Sequence, residues 1–272
     1  MSSSLSLSTT CTGVIGAGNM GEALIAGLIK AGAKPSQICF SEKRSERAAE
    51  ITAKYGAMAK SNQEIAQGCD AILLVTKPQD LESVLSEIAA SLKPRALLIS
   101  FAAGKTTDFI ERIVGKEKSV IRVMPNTPAL IGKGAAAISE GSAVLETEMD
   151  FVRSVMSAMG EVITVKEEFQ DAVTALSGSG PAYFFAFVES MIAAGVELGL
   201  TEADATTLTI QTIYGAAGML KESGKSATEL RQNVTSPNGT TAAALKAFEG
   251  GDLQGLVLKA MVAARNRSQE LA

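Results

Sequence analysis

With 272 residues, 46% of them hydrophobic and 20% charged, the chain is long enough to bury a large core and to divide into two domains. A formal net charge of −4, with Lys43-Arg44 the one local basic feature, argues against nucleic acid or an anionic membrane as partner. The sequence contains no histidine, which removes imidazole triads, His-ligated metals and any mechanism resting on a His base.

Residues 1–11 are rich in Ser and Thr and lack both a basic start and a continuous apolar stretch, so they read as a short disordered tail and not as a secretory signal. Residues 12–15 are apolar and β-branched enough for a buried strand, and residues 20–30 carry helical apolar spacing at Leu24, Ile25, Leu28 and Ile29. Between them lies Gly16-Ala17-Gly18-Asn19-Met20-Gly21, a Gly-x-Gly-x-x-Gly fingerprint in the strand-turn-helix context that dinucleotide binding requires. Gly16 permits the tight turn, Gly18 lets the backbone approach a pyrophosphate, and Gly21 lets helix pack closely on strand. The pyrophosphate then rests on the free amides and positive dipole end of the helix.

Residues 37–40 read as the second strand, and Ser41-Glu42-Lys43-Arg44 falls about 20 residues past the last glycine, where an adenosine ribose is recognised. A hydroxyl beside Lys and Arg suits a 2′-phosphate, because Arg offers a planar fork of donors. Glu42 pulls the other way, since a carboxylate accepts from a free 2′-hydroxyl. NADP is the favoured reading, with NAD the alternative. A helix over 44–55, a strand over 57–60 and a capping box at Ser61-Asn62-Gln63-Glu64 follow. Residues 70–75 suit a strand buried on both faces of a parallel sheet. Thr76-Lys77-Pro78 lies at its carboxyl edge, where open α/β sheets bind ligands, and Pro78 opens a helix running to Leu92.

Strands over 96–99 and 119–123 end in Ser100-Phe101-Ala102-Ala103-Gly104, whose small residues leave room for a ligand ring, and in Met124-Pro125-Asn126-Thr127-Pro128, where two prolines predict a fixed irregular loop. A strand over 134–139, a helix over 146–159 and a strand over 161–165 continue the alternation. The three cysteines, Cys11, Cys39 and Cys69, follow none of the spacings of a metal site or disulfide framework, so no metal is expected and a reducing cytoplasm is the simplest compartment.

Past Glu167 the periodicity is helical only, broken at 177–181, 199–201, 222–224 and 236–239, which divides the chain into domains 12–167 and 168–272. The helix over 181–198 holds Phe184, Phe185, Phe187, Val188, Met191 and Ile192, is apolar on most faces and has to be buried, while Glu189 argues against a membrane span. Such helices form either a self-contained bundle or half of an intertwined dimer core. Ser236-Pro237-Asn238-Gly239-Thr240-Thr241 leads into a helix start whose amides and hydroxyls suit a small carboxylate; the same residues also make an ordinary capped turn.

The glycine fingerprint, Lys77-Pro78, Ala102-Ala103-Gly104, Met124-Pro125-Asn126-Thr127-Pro128, Leu176-Ser177-Gly178-Ser179-Gly180-Pro181-Ala182-Tyr183 and Ser236-Pro237-x-Gly239-Thr240-Thr241 occur in this order. Together they closely resemble the pyrroline-5-carboxylate reductase family, the last enzyme of proline biosynthesis, over essentially everything after residue 11. The resemblance implies an α/β N-terminal Rossmann domain with a mostly parallel, doubly wound sheet and an all-α C-terminal dimerisation domain. It implies a cytoplasmic homodimer, extending to a decamer built as a ring of five dimers, with the active site drawn partly from a neighbouring subunit. It also implies hydride transfer from NADPH, with NADH weaker, to the C=N carbon of 1-pyrroline-5-carboxylate, giving L-proline. By motif position the cofactor contacts are Gly16, Ala17, Gly18, Asn19, Met20, Gly21, Ser41, Lys43, Arg44, Asn62, Val75, Thr76, Lys77, Pro78, Ala102 and Ala103. Substrate contacts are Glu167, Asn233, Ser236, Asn238, Gly239, Thr240 and Thr241, with the Thr241 hydroxyl on the ring nitrogen as the catalytic group. Family members usually carry Gly where this chain has Asn238; Asn tolerates positive φ, so the turn is expected to form with an added side chain beside the substrate. A 3-hydroxyacid dehydrogenase of similar build would need a catalytic Lys in the helical region, and Lys221, Lys225 and Lys246 sit in polar surroundings typical of solvated faces.

Overall fold

In the computed structural model, which describes residues 5–271, strands β1 (Thr12–Ile15), β2 (Ile38–Ser41), β3 (Met58–Ala59), β4 (Ala71–Leu74), β5 (Leu97–Ser100), β6 (Ser119–Met124), β7 (Gly134–Glu140) and β8 (Gly160–Thr164) join in one sheet. Their order is β3-β2-β1-β4-β5-β6-β7-β8. Pairing is parallel from β3 through β6; β7 runs antiparallel to β6, and β8 parallel to β7. The chain starts at β1, winds outward to β3, and returns to β4 on the other side of β1. That reversal opens the crevice in which such sheets take their ligands.

Helices α1 (Asn19–Lys30), α2 (Ser45–Tyr55), α3 (Asn62–Gly68), α4 (Leu81–Ile88), α5 (Thr107–Val114) and α6 (Glu146–Ser157) cover the sheet on both faces. Leu24, Ile25 and Leu28 of α1, Ile51 of α2 and Met149, Val152 and Met156 of α6 share one core with Val14 and Leu73. Ile65 of α3, Leu81, Leu85 and Ile88 of α4 and Ile110 of α5 share the other with Ile15, Ile72 and Leu74. Successive strand residues therefore feed opposite cores, and a one-residue slip in register would send every side chain to the wrong layer. Each fully buried Leu or Ile contributes about 1.5–3 kcal/mol, so register is tightly specified.

Several local expectations change. Residues 5–11 of the expected tail are held in place: Leu5 and Leu7 pack on the first core, and the Ser6 amide donates to Thr10 Oγ1 at 3.0 Å. Residues 1–4 of that tail lie outside the described residues. The two prolines after β6 do not leave an irregular loop; Thr127–Ile131 is a short 3₁₀ helix with Pro128 in its first turn, where a missing N–H costs nothing. The helix after Pro78 is divided into a 3₁₀ turn at Pro78–Asp80, α4, and a second 3₁₀ turn at Ala89–Ser91. Helix α5 has no counterpart in the sequence reading. The expected break at 177–181 is instead a π-helical turn, Thr174–Gly178, closed by the Ser179 amide on Thr174 O at 2.8 Å.

The remaining helices are α7 (Gln170–Val173), α8 (Gly180–Glu197), α9 (Glu202–Glu222), α10 (Ala227–Asn233), α11 (Thr240–Gly250) and α12 (Leu253–Glu270). Residues 180–263 form a compact unit of their own, while 264–271 return to the first unit, where Ser268 Oγ donates to Asp171 Oδ1 at 2.7 Å. After β8 no further strand follows among the described residues, near the boundary expected after Glu167; the division into compact units falls after Ser179. Inside the second unit α8 packs on α9, with Gly195 so close to Ala205 that a Cβ on it would lie 3.1 Å from that side chain. The Phe187 and Phe248 rings meet at 6.3 Å. Most of the unit's apolar surface stays uncovered: Phe184 and Phe185 are 62% and 63% exposed, and Tyr214 70%. The expectation that α8 is buried therefore fails for a single chain. Residues Glu167–Glu197 are, by length and composition alone, apolar enough to cross a membrane.

Candidate active site

The chain leaves β1 at Ile15 and turns under Ser41, whose carbonyl accepts from the Gly16 and Ala17 amides at 3.2 and 3.0 Å. Gly16 has φ +96°, and a Cβ there would sit 2.6 Å from the Val75 carbonyl oxygen. A Cβ on Gly21 would run into the Gly16 carbonyl. Gly18 is different: it caps α1 with no side-chain hydrogen bond, and a Cβ on it would meet nothing within 4 Å. Uncapped first-turn amides and open space above Gly18 make the start of α1 a fit for a pyrophosphate. The helix itself is held by Glu22, which accepts from Lys54 Nζ at 2.8 Å and Tyr55 OH at 2.9 Å and pairs with Arg47. Those donors, Lys54 foremost, hold the Glu22 carboxyl at about 2 and tie α1 to α2.

Beside this turn lies a cavity of about 410 Å³, walled by Gly16, Ser41, Lys43, Lys60, Asn62 and Thr76 among others. Ser41 Oγ donates to Asn62 Oδ1 at 2.7 Å, and Asn62 Nδ2 to Glu87 Oε2 at 2.9 Å. Asn62 is placed by the capping box, in which the Glu64 amide donates to Ser61 Oγ and Ser61 N returns a bond to Glu64 Oε2. Glu42 takes the Arg44 guanidinium at 3.0 Å and the Arg44 amide at 3.1 Å; that guanidinium holds its carboxyl below the usual carboxylate range. Glu42 is thus ionised and turned onto Arg44, with exposed Lys43 beside it. In the cavity wall the Thr76 hydroxyl is buried without a hydrogen-bond partner, a group that a ligand in the cavity would satisfy. Val75 hangs from β1 by its amide on Ile15 O at 2.9 Å, Lys77 and Pro78 begin the 3₁₀ turn, and Ala102 and Ala103 follow β5.

The second constellation belongs to the helical unit. The Gly239 amide closes a turn on Ser236 O at 3.1 Å, and Asn238 takes the left-handed conformation, φ +60°, that the sequence reading expects of it. Gly239 caps α11 without any side-chain bond, and a Cβ on it would strike Ser236 Oγ. The first amide used inside the helix is that of Ala243, on Gly239 O at 3.1 Å, so the amides of Thr240 and Thr241 point out of the helix start. Thr240 is exposed and Thr241 half-buried; Asn233 ends α10, exposed.

Glu167, expected among the substrate contacts, belongs to the first unit and has both oxygens engaged. The Thr107 amide and hydroxyl donate to it at 2.7 and 2.6 Å, and Arg122 Nη1 stands at 3.5 Å. It anchors the entry to the helical stretch on the start of α5. Arg122, 3% exposed and flanked by Glu167 and by Asp171 at 3.6 Å, is a buried charge that no sequence signal marked. Lys225 and Lys246 are exposed, as solvated helix faces require.

Residues 167–271 match the family described as pyrroline-5-carboxylate reductase dimerisation, and residues 12–104 match the one described as NADP oxidoreductase, coenzyme F420-dependent. The pyrroline-5-carboxylate reductase of Pseudomonas aeruginosa is 41% identical over 268 residues, 98% of each chain. The chain belongs to the pyrroline-5-carboxylate reductase family. The solved structure of a pyrroline-5-carboxylate reductase from Coxiella burnetii superposes with a TM-score of 0.91 at 38% identity, covering 97% of this chain and 99% of that one. A Plasmodium falciparum pyrroline carboxylate reductase, solved with NADP bound, gives 0.87 at 33% identity over 98% and 99%. The uncovered apolar faces of α8 and α9 lie wholly inside the region that matches the dimerisation family.

Proposed function

We infer that the protein reduces 1-pyrroline-5-carboxylate to L-proline with NADPH, the final step of proline biosynthesis. The observation that carries this reading is the full-length match, which spans both the open Gly18 cleft and the Ser236–Thr241 turn. NADPH, when bound, supplies the hydride taken up at the C=N carbon, and the ring nitrogen ends with one added proton. The residues of this chain bind, orient and exclude water, which is where most of the barrier reduction arises when the electrophile is a protonated imine.

In this reading the amides of Asn19, Met20 and Gly21 face the pyrophosphate across Gly16, Ala17 and Gly18. Ser41, Lys43, Arg44 and Asn62 hold the adenosine ribose and its 2′-phosphate. Val75, Thr76, Lys77, Pro78, Ala102 and Ala103 border the nicotinamide half, with the Thr76 hydroxyl gaining the partner it lacks. The amides at Thr240 and Thr241 take the substrate carboxylate, a small anion at a helix start. The Thr241 hydroxyl accepts from the protonated ring nitrogen and orients it, solvent being the ultimate proton source. Ser236, Asn238 and Gly239 shape the turn, and Asn233 lies at its approach. Glu167 acts through Thr107 and Arg122.

The protein works as a homo-oligomer, and we extend this to a decamer of five dimers in the cytoplasm. Light scattering would then return ten times 28.1 kDa, whereas twice that mass would limit the assembly to the dimer. The reading is tested by expressing the chain in a proline auxotroph that lacks its own reductase for this imine. Growth without proline supports it; failure to grow with soluble protein present overturns it.

A further inference from the structure

At the end of β1 opposite the cofactor turn, three thiols meet. Cys11 precedes β1, Cys39 is the second residue of β2, and Cys69 closes α3. The register pairs Gly13 with Cys39, and Cys11 lies two residues before Gly13, so both thiols share one face of the sheet. Gly13 carries no side chain, and a Cβ there would stand 3.2 Å from Cys69 Sγ and collide with Ile65. That gap lets the end of α3 settle onto the strands. The three sulfurs all lie within 4.8 Å of one another, with Cys11 and Cys69 Sγ at 3.4 Å. Cys39 and Cys69 are 1% exposed, while Cys11 is half-buried and opens toward solvent.

We propose that Cys11, Cys39 and Cys69 form a binding site for a thiophilic d¹⁰ cation, with Zn(II) the ion that fits best. Zinc–thiolate bonds of about 2.3 Å at tetrahedral angles set sulfurs about 3.8 Å apart, inside the spacing already present. Three thiolates carry −3; Zn(II) leaves −1 on the site, whereas a monovalent soft ion leaves −2. The half-buried Cys11 side leaves the fourth position to solvent, since no other Cys or carboxylate joins the group among the described residues. Five residues of extended chain, roughly 16 Å, separate Cys11 from Gly16, so the ion clamps β1, β2 and α3 and takes no part in hydride transfer.

The test uses the full-length reduced oligomer, stripped with chelator. It is titrated with Zn(II) against a chromophoric chelator, and separately with Cd(II) while sulfur-to-metal charge-transfer absorption is followed. One ion per chain, a cadmium–thiolate band and release of thiol protons on zinc binding are expected. Cys11→Ser, which leaves both fully buried cysteines in place, lowers zinc affinity by ~100-fold while keeping the NADPH oxidation rate of the parent. No uptake of stoichiometric zinc, zinc uptake without proton release, or unchanged binding by Cys11→Ser overturns the proposal. Uptake of Cu(I) in a parallel competition with no uptake of Zn(II) overturns the assignment of the ion. Should Cys11→Ser fail to fold, the zinc stoichiometry and the cadmium–thiolate band of the parent protein decide.

Discussion

Gly18→Ala separates the fold from the cofactor more sharply than any other single substitution. The residue has φ −68° and ψ −162°, open to any amino acid, and its added methyl would meet no atom within 4 Å. Stability therefore changes by no more than about 1 kcal/mol, a small backbone-entropy gain set against a slightly poorer cap. On the proposed placement of the cofactor, the same methyl stands where the pyrophosphate approaches the first amides of α1. Losing one or two charge-assisted hydrogen bonds at about 1.5–3 kcal/mol each weakens NADPH by roughly 10-fold or more. Gly21→Ala is the contrasting case: its methyl meets the Gly16 carbonyl, which cannot yield without moving β1, and costs about 1–3 kcal/mol of stability. Thermal melting paired with a fluorescence titration of NADPH reads both effects. Parent-like NADPH affinity in Gly18→Ala would refute the placement of the pyrophosphate, and an unfolded Gly18→Ala would refute the claim of open space.

Thr241→Ala is expected to lower kcat by roughly 10–100-fold, the worth of one hydrogen bond to a charged group, with NADPH affinity unchanged; weakened NADPH binding would contradict its assignment to the substrate. Arg44→Ala leaves the ionised Glu42 uncompensated beside the ribose, so kcat/KM with NADPH falls by about tenfold or more while NADH is much less affected. An equal loss for both nucleotides would place Arg44 outside 2′-phosphate recognition. Glu22 gives a pH signature, because its folded-state value of about 2 lies below the unfolded 4.5. Its stabilisation is complete above 4.5 and is lost as pH falls toward 2. Urea denaturation should show Glu22→Gln less stable than the parent at neutral pH, with the gap closing across that window; a gap independent of pH would mean the carboxylate charge is not what ties α1 to α2.

What the sequence made legible was local. The β1-turn-α1 pattern, the Ser61 capping box, the doubly buried run of β4 and the positive-φ turn at Asn238 are each specified by residues a few positions apart, and each has the geometry its chemistry requires. Helix α5 escaped because it has only eight residues and its buried polar positions are satisfied at long range, Glu111 by the amide and hydroxyl of Ser142 at 2.7 and 2.8 Å. The Ser177–Pro181 segment looked like a breaker by composition, yet a proline in the first turn of α8 loses no bond and a π turn absorbs the glycines. Glu167 was legible as a residue of interest but not in its partners, Thr107 and Arg122, which come from distant strands and helices. The thiol triad is hidden for the same reason: parallel register and the missing side chain of Gly13 assemble what linear spacing keeps apart. The sequence leaves open whether α8 is covered by its own bundle or by a second copy, because periodicity reports that a face is apolar and not what covers it; in the single chain Phe184 and Phe185 stay exposed.

The most direct test of the account is the oxidation of NADPH by the purified protein, followed by absorbance with and without 1-pyrroline-5-carboxylate, together with amino-acid analysis of the product. Imine-dependent oxidation with one proline formed per NADPH consumed is the predicted result. NADPH that binds but is not consumed when the imine is present would contradict it.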